Sequence, residues 1–279
     1  MLSATKEQPK EMLPVFAVEE DEKLCLKPMV QLIFEQLHAC GLREFFFIVG
    51  RGKRMMQDHF TPDREFVRRL KDRKKTAQAA QLENFYAKLD ESNVVWVDQP
   101  EPKGFGDAVM RAESLVAGEP FLVQAGDAYI LSRTRPLPLR LIDVHAKGTA
   151  QATLTLKKIE DPRQYGVAEG SGRGVFKVDR VQEKPSHPKS KFAIMPIYVF
   201  TRAIFEALRV TTPGVGGEIQ LTDAIQELIN RGERIQAVNL NREDLRLDIG
   251  TPETYWETLG FAYRNALAGN RRQRVGVRL

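Results

Sequence analysis

The strongest constraint on the fold is an alternation of amphipathic and wholly apolar segments. "PMVQLIFEQLHACG" from Pro28 reads as a helix: proline stands in the first turn, Val30, Ile33, Phe34 and Leu37 share one stripe, and Gly41 stops it. "REFFFIVG" follows at once, short and apolar, as a strand buried on both faces should be. The alternation continues with "NVVWVD" as strand, "GDAVMRAESLVAG" as helix, "PFLVQAGDAYIL" as strand and loop, "RLIDVHAKG" as helix and "TAQATLTLKK" as strand. Helices lying between strands are what right-handed crossovers in a parallel sheet require. Hairpin-like pieces are expected at "QYGVAEG" and "GVFKVDRVQEKP", then a strand "FAIMPIYVF", helices around "RAIFEALRV" and "EIQLTDAIQELINRG", and a late strand "RIQAVNL". Thr251 and Pro252 mark the cap and first position of a last helix, followed by a basic tail, so that 251–279 forms a helical C-terminal piece. With no repeat and no Gly/Ser/Pro-rich linker, the expectation is one α/β domain over 1–279 with a mixed, mostly parallel sheet flanked by helices.

Composition narrows the function. No apolar run reaches the roughly 18–20 residues of a membrane span, and the N-terminus lacks a secretory pattern, so a soluble, non-membrane protein is expected. Two cysteines, Cys25 and Cys40, are too few for a disulfide framework and fit a reducing cytoplasm, where both would pack as small apolar groups. His38, His59, His145 and His187 are scattered away from metal-ligand spacing. The net charge of +5 concentrates in "REFVRRLKDRKK" from Arg64 and "RRQRVGVRL" from Arg271. No aromatic residues interleave with these charges, which argues against nucleic acid and for a small anionic ligand. "AVEEDEKLC" after Val15 reads as a surface hairpin or loop.

Residues just beyond strand ends are the first places to look for chemistry in such a sheet. Asp127 in "FLVQAGDAY" follows an apolar strand and a glycine; alone it would serve as a turn residue or helix cap. A second carboxylate would change that, because magnesium bound to a nucleotide takes one or two carboxylates plus phosphate oxygens. Asp248 in "LRLDIGTPE" is the partner to consider, with a helix cap as its plain alternative. "DQPEPKGFGDAV" offers Gln99 and the glycines Gly104 and Gly106 before a helix, a surface suited to a flat base or a phosphate. "VGRGKR" from Val49 lacks the frame and the Ser/Thr of a Walker A loop and reads as a surface turn into a basic helix. "QEKPS" sets Glu183 beside Lys184, a pair able to meet sugar hydroxyls and a phosphate, or else an exposed charge pair. "QPKEMLP" presents Lys10 between two prolines, like the second half of a phosphate-binding loop. The purposes of "YGV" from Tyr165 and of "TTPGVGGEIQLTDAI" are not set by spacing.

Taken in order, "MLSATKEQPKEMLPV", "KPMVQLIFEQLHACGLREFFFIV", "QPEPKGFGDAV", "AGDAYIL", "QYGV", "VQEKP" and "PGVGGEIQLTDAI" resemble the bacterial and archaeal UTP:glucose-1-phosphate uridylyltransferases of the sugar-phosphate nucleotidyltransferase family. The resemblance runs to about Ala268; "LDIGTPETY" looks more like the related thymidylyl- and guanylyltransferases. It implies a Rossmann-like nucleotidyltransferase fold, a magnesium-dependent reaction of UTP with glucose 1-phosphate giving UDP-glucose and pyrophosphate, and a homo-oligomer. By resemblance Lys10 meets phosphates, Gln99 and Gly104 meet uracil, Asp127 and Asp248 bind metal, and Gly166, Glu183 and Lys184 contact the sugar and its phosphate. Lys10, Asp127 and Lys184 would be the residues that promote transfer.

Two departures accompany the resemblance. Pro196 in "AIMPIY" stands where many bacterial members have glycine near the sugar. Family members also begin with an apolar strand and a G-x-G-T-R loop just before the segment matching Met1, and neither is among these 279 residues. The leading expectation is a natural protein longer than this chain. The alternatives are a thymidylyltransferase acting on a hexose 1-phosphate, or a non-catalytic regulatory partner of a complete paralogue.

Overall fold

The computed structural model describes residues 5–19, 23–172 and 174–276, with side chains of the last helix described through Ala266. The side chains of the basic tail from Arg271 therefore lie outside the described residues. A short 3-10 turn over Lys10–Met12 leads into the antiparallel hairpin β1 (Pro14–Val18) and β2 (Leu24–Pro28). Helix α1 (Met29–Ala39) then buries the predicted stripe of Val30, Ile33, Phe34 and Leu37. Pro28 stands just ahead of the helix with extended backbone, so it ends the strand and admits the helix in one step. Buried Lys27 ties hairpin to helix through Glu19 at 3.1 Å and Glu35 at 2.8 Å. Cys25 is not the simple apolar filler expected: its Sγ donates to Glu19, and burial, aided by that carboxylate, pushes the thiol up to about 12.

Strand β3 (Glu44–Gly50) is followed by the turn at Arg51 and the helices α2 (Arg54–His59), α3 (Arg64–Asp72) and α4 (Thr76–Asp90), then by β4 (Asn93–Gln99), parallel to β3. Phe34 centres the core here, meeting Phe45 at 4.7 Å, Phe60 at 5.4 Å and Phe85 at 6.0 Å. Each such ring pair adds about 0.5–1.5 kcal/mol beyond area burial. β3 is not buried on both faces as its composition predicts: only Phe45 and Val49 are fully buried, while Phe46, Phe47 and Ile48 are half-buried. β4 is its one ladder partner among the described residues.

The helix predicted from Gly106 to Gly118 is shorter: α5 (Phe105–Met110) gives way to i→i−3 bonds such as Ala112 N to Val109 O at 3.0 Å. β5 (Phe121–Gln124) and β6 (Ala128–Leu131) flank the loop that carries Asp127, and α6 (Leu137–Ala146) follows. The remaining elements are β7 (Ala152–Lys158), β8 (Gly166–Ser171), β9 (Val175–Glu183), β10 (Phe192–Phe200), α7 (Ala203–Val210), α8 (Leu221–Asn230), β11 (Ile235–Asn239), β12 (Leu245–Asp248) and α9 (Pro252–Gly276). Thr251 caps α9 as expected, its Oγ1 accepting from Thr254 N at 3.2 Å.

The largest sheet has the order β5-β10-β7-β11-β9-β8, closed by a β10–β8 pairing. It is mixed as expected, but its ladders are not mostly parallel. β7–β11 is the parallel pair, and the other ladders of this sheet are antiparallel. The cause is local: β8, β9 and β10 follow one another through connections with no helix, too short for a crossover. Pro196 sits inside β10 where the register shifts between Met195 and Tyr198, which lets an interior strand tolerate proline. Its carbonyl accepts from Ala125 N at 3.0 Å and so ties the loop that carries Asp127 to β10.

Two histidines, His145 buried and His59 half-buried, make stability depend on pH. Burial holds His59 and His145 below the ordinary 6.5, and each is neutral-compatible in place, hydrogen-bonded to Gln31 Oε1 and Thr153 Oγ1 respectively. The unfolded chain takes up protons at about pH 6.5 that the folded chain refuses, so stability is lost as pH falls through that value. The midpoint of thermal unfolding is expected to drop between pH 7.5 and pH 5.5; an unchanged midpoint would contradict this.

Candidate active site

The β12–β6 ladder sets Asp248 opposite Ala128, one residue beyond Asp127, and Ile249 N donates to Asp127 O at 3.3 Å, so two aspartates distant in sequence lie at one sheet end. Lys10 Nζ donates to Asp127 Oδ2 at 2.6 Å. Burial opposes the charge on Lys10, but Asp127, with Glu11 and Asp248, outweighs it and raises its pKa. Asp248 is not the cap of α9. Its Oδ1 accepts from Gly250 N at 2.8 Å and Thr254 Oγ1 at 3.2 Å, and its Oδ2 accepts from Arg246 Nη2.

Arg246 continues the line of contacts. Its Nη1 donates to Tyr165 Oη at 3.1 Å, and the guanidinium lies 5.2 Å from that ring's centroid. Tyr165 carries the next corner: its carbonyl accepts from Lys184 N at 3.0 Å. Gly166 lies opposite Glu183 in the β8–β9 ladder. Lys184 Nζ stands 3.7 Å from Glu183 Oε1, and Lys184 itself has φ 39°, a left-handed backbone costing about 1–3 kcal/mol in a non-glycine residue. Thr222, at the start of α8, donates its hydroxyl to Glu183 Oε2 at 2.7 Å. Gly166, Glu183 and Lys184 are thus brought together.

Gln99 and Gly104 form the third corner. Gln99 Nε2 donates to Gly104 O at 3.2 Å and to Asp107 Oδ2 at 2.8 Å. Gly104, at φ 108°, leads α5, and a Cβ there would stand 2.7 Å from Ile219 O. Among the described residues no hydrogen bond or ion pair joins this corner to Lys10 or Asp127. It joins the Glu183 corner instead, through the glycine-rich segment before α8: Gly106 N donates to Ile219 O at 2.8 Å and Ile219 N to Lys103 O at 2.7 Å. "VGRGKR" contributes a surface turn, as expected.

Sequence reasoning missed Thr222 and Arg246. Both lie inside segments singled out for other residues, and only the folded chain shows their partners.

A nucleotidyl transferase family model matches residues 5–264. This chain belongs to the nucleotidyl transferase family. The transferase is 37% identical over 254 residues to the UTP–glucose-1-phosphate uridylyltransferase YngB of Bacillus subtilis (strain 168), covering 89% of this chain and 80% of that protein. It is 34% identical over 266 residues to a UTP–glucose-1-phosphate uridylyltransferase of Staphylococcus epidermidis, covering 93% and 84%. Among solved structures, an apo UDP-glucose pyrophosphorylase superposes on the transferase with a TM-score of 0.83 at 29% identity, over 95% of this chain and 94% of that one. A UDP-glucose pyrophosphorylase complexed with UDP-glucose gives 0.80 at 28% identity, with the same coverage. No helix among the described residues of the transferase is long and apolar enough to cross a membrane.

Proposed function

We propose that this chain is a UTP:glucose-1-phosphate uridylyltransferase. An oxygen of the glucose 1-phosphate phosphate attacks the α-phosphorus of UTP, the bond from that phosphorus to the oxygen bridging to the β-phosphate breaks, and pyrophosphate leaves with the bond's electrons. The attacking oxygen is already anionic at neutral pH, so no general base is needed. What the protein must supply is in-line placement and compensation of charge. The observation that carries the reading is the line of contacts from Asp248 through Arg246 and Tyr165 to Lys184 and Glu183, with the Lys10–Asp127 pair set one register position from Asp248. A phosphate end and a sugar end are thereby held in one frame.

In this reading Lys10 compensates triphosphate charge, Gln99 and Gly104 face the uracil, Glu183 holds sugar hydroxyls, and Lys184 meets the sugar phosphate. The donor set fits a magnesium ion: Asp127 Oδ1 accepts no hydrogen bond among the described residues, and Asp248, opposite Ala128 in the β12–β6 ladder, supplies a second carboxylate at the same sheet end. Asp127 and Asp248 would hold that ion, which when bound neutralises phosphate charge. The protein would act in the cytoplasm and as a homo-oligomer.

The test is pyrophosphate release with magnesium, comparing UTP with dTTP and glucose 1-phosphate with other hexose 1-phosphates. Fastest release with UTP and glucose 1-phosphate is expected; no release with any pair would favour a non-catalytic partner. Gly166→Ala probes the sugar corner. Its Cβ would stand 2.7 Å from Thr222 Oγ1 and 3.1 Å from Glu183 Oε2, displacing the carboxylate. The KM for glucose 1-phosphate is expected to rise about ten-fold or more, as for loss of a charged hydrogen bond, with the KM for UTP little changed.

A further inference from the structure

The two oxygens of Glu183 are treated differently by the fold. Thr222 Oγ1 donates to Oε2 at 2.7 Å, whereas Oε1 accepts no hydrogen bond among the described residues and stands 3.7 Å from Lys184 Nζ. A carboxylate turns about a broad, two-fold torsion, so a fixed donor on one oxygen decides where the other points. Thr222 is buried and the Glu183 side chain is 11% exposed, so water does not readily take the place of that hydroxyl.

The hydroxyl is not what docks the helix. The β9–β11 ladder ends at Val178, and further along β9 the N–H of Val181 is taken by Gln226 Oε1 at 2.8 Å. Gln226 lies one turn after Thr222 on the same side of α8. Leu221, Ala224, Ile225 and Leu228 bury the apolar side of α8 in the same core as Val181. Helix α8 is therefore held against β9 with or without the Thr222 hydroxyl, and what that hydroxyl adds is the orientation of one carboxylate.

We propose that Thr222 is a positioning residue for the sugar: by holding Oε2 of Glu183 it makes Oε1 the oxygen that accepts from a sugar hydroxyl. The inference rests on the sugar contact proposed above for Glu183 and adds which oxygen makes it and what fixes that oxygen in place.

Calorimetric binding of UDP-glucose and of UTP to the unaltered chain, Thr222→Val, Thr222→Ser and Glu183→Gln tests it. Valine keeps the branched shape and removes the donor; serine keeps the donor and removes the methyl. Thr222→Val is expected to weaken UDP-glucose about ten-fold and UTP by less than about two-fold, with Thr222→Ser recovering most of the loss. Unchanged affinity of Thr222→Val for UDP-glucose, an equal loss for UTP, or a loss that serine does not recover overturns the inference. Urea unfolding of Thr222→Val should stay cooperative; a variant that does not fold would mean that the hydroxyl docks the helix, which also overturns it. Glu183→Gln separates the two levels. If it leaves UDP-glucose affinity unchanged, the sugar contact of Glu183 and the inference fall together; if it weakens UDP-glucose while Thr222→Val does not, the inference alone falls. An unaltered chain that binds UDP-glucose in this pattern yet releases no pyrophosphate from any substrate pair would overturn the proposed reaction and leave the inference standing. If the unaltered chain does not bind UDP-glucose, both fall.

Discussion

Asp127→Asn is expected to reduce turnover by about 10²–10³-fold, the cost of removing one preorganised electrostatic contact to the transferring phosphate. The substitution keeps the shape of the side chain and removes its charge. Lys10 Nζ, 2.6 Å from Asp127 Oδ2, would lose its counter-charge, and the Asp127–Asp248 pair would fall to one carboxylate. Because the Lys10 and Asp127 side chains are 38% and 24% exposed, water replaces the lost partner and the fold should survive. Circular dichroism and urea unfolding check that survival, and single-turnover rates check the loss. Turnover within a few-fold of the unaltered chain at saturating magnesium would remove Asp127 from its proposed role.

Asp244→Ala should act on stability instead, costing about 3–5 kcal/mol, because it leaves a buried cation without its partner. Asp244 is 1% exposed and Arg140 14%. Arg140 Nη1 donates to both Asp244 oxygens at 3.1 and 2.8 Å, and Asn241 N donates to Asp244 Oδ2 at 2.7 Å. The pair therefore joins α6 to the turn between β11 and β12, directly upstream of Arg246 and Asp248. Urea unfolding measures the loss. Replacing both partners by apolar residues, as in Arg140→Met with Asp244→Leu, should cost far less than the single change, since no unpaired charge remains.

Much of the fold was legible in residue spacing. The stripe of Val30, Ile33, Phe34 and Leu37 predicts α1, and the β-rich runs predict β4, β7, β10 and β11. Helix α4 was overlooked although Ala79, Phe85, Tyr86 and Leu89 bury one face of it, because its flanks are polar and charged. The hairpin-like pieces predict the antiparallel β8–β9 ladder, but the direction of the ladders made by β10 was not legible, since apolar runs buried in parallel and antiparallel sheets read alike. In the candidate site, the single residues Lys10, Asp127, Glu183 and Lys184 could be picked out by type and place. Their partners could not: Lys10 meets Asp127 across 117 positions and Arg246 meets Tyr165 across 81, separations no local pattern encodes. Thr222 is a threonine like any other until Glu183 is folded against it.

The stretch Ile219–Thr222, which leads into the first turn of α8, is held at both ends, at Ile219 by Lys103 O and Gly106 N and at Thr222 by Glu183. In the proposed reading one end adjoins the base and the other the sugar. Occupancy at one end then biases the segment that the other end must engage, and thermodynamic reciprocity requires the bias to be equal in both directions. Nucleotide and sugar phosphate should therefore bind with a measurable cooperativity, and a double-mutant cycle between Gly106 and Thr222 should be non-additive even though the two residues lie in different corners.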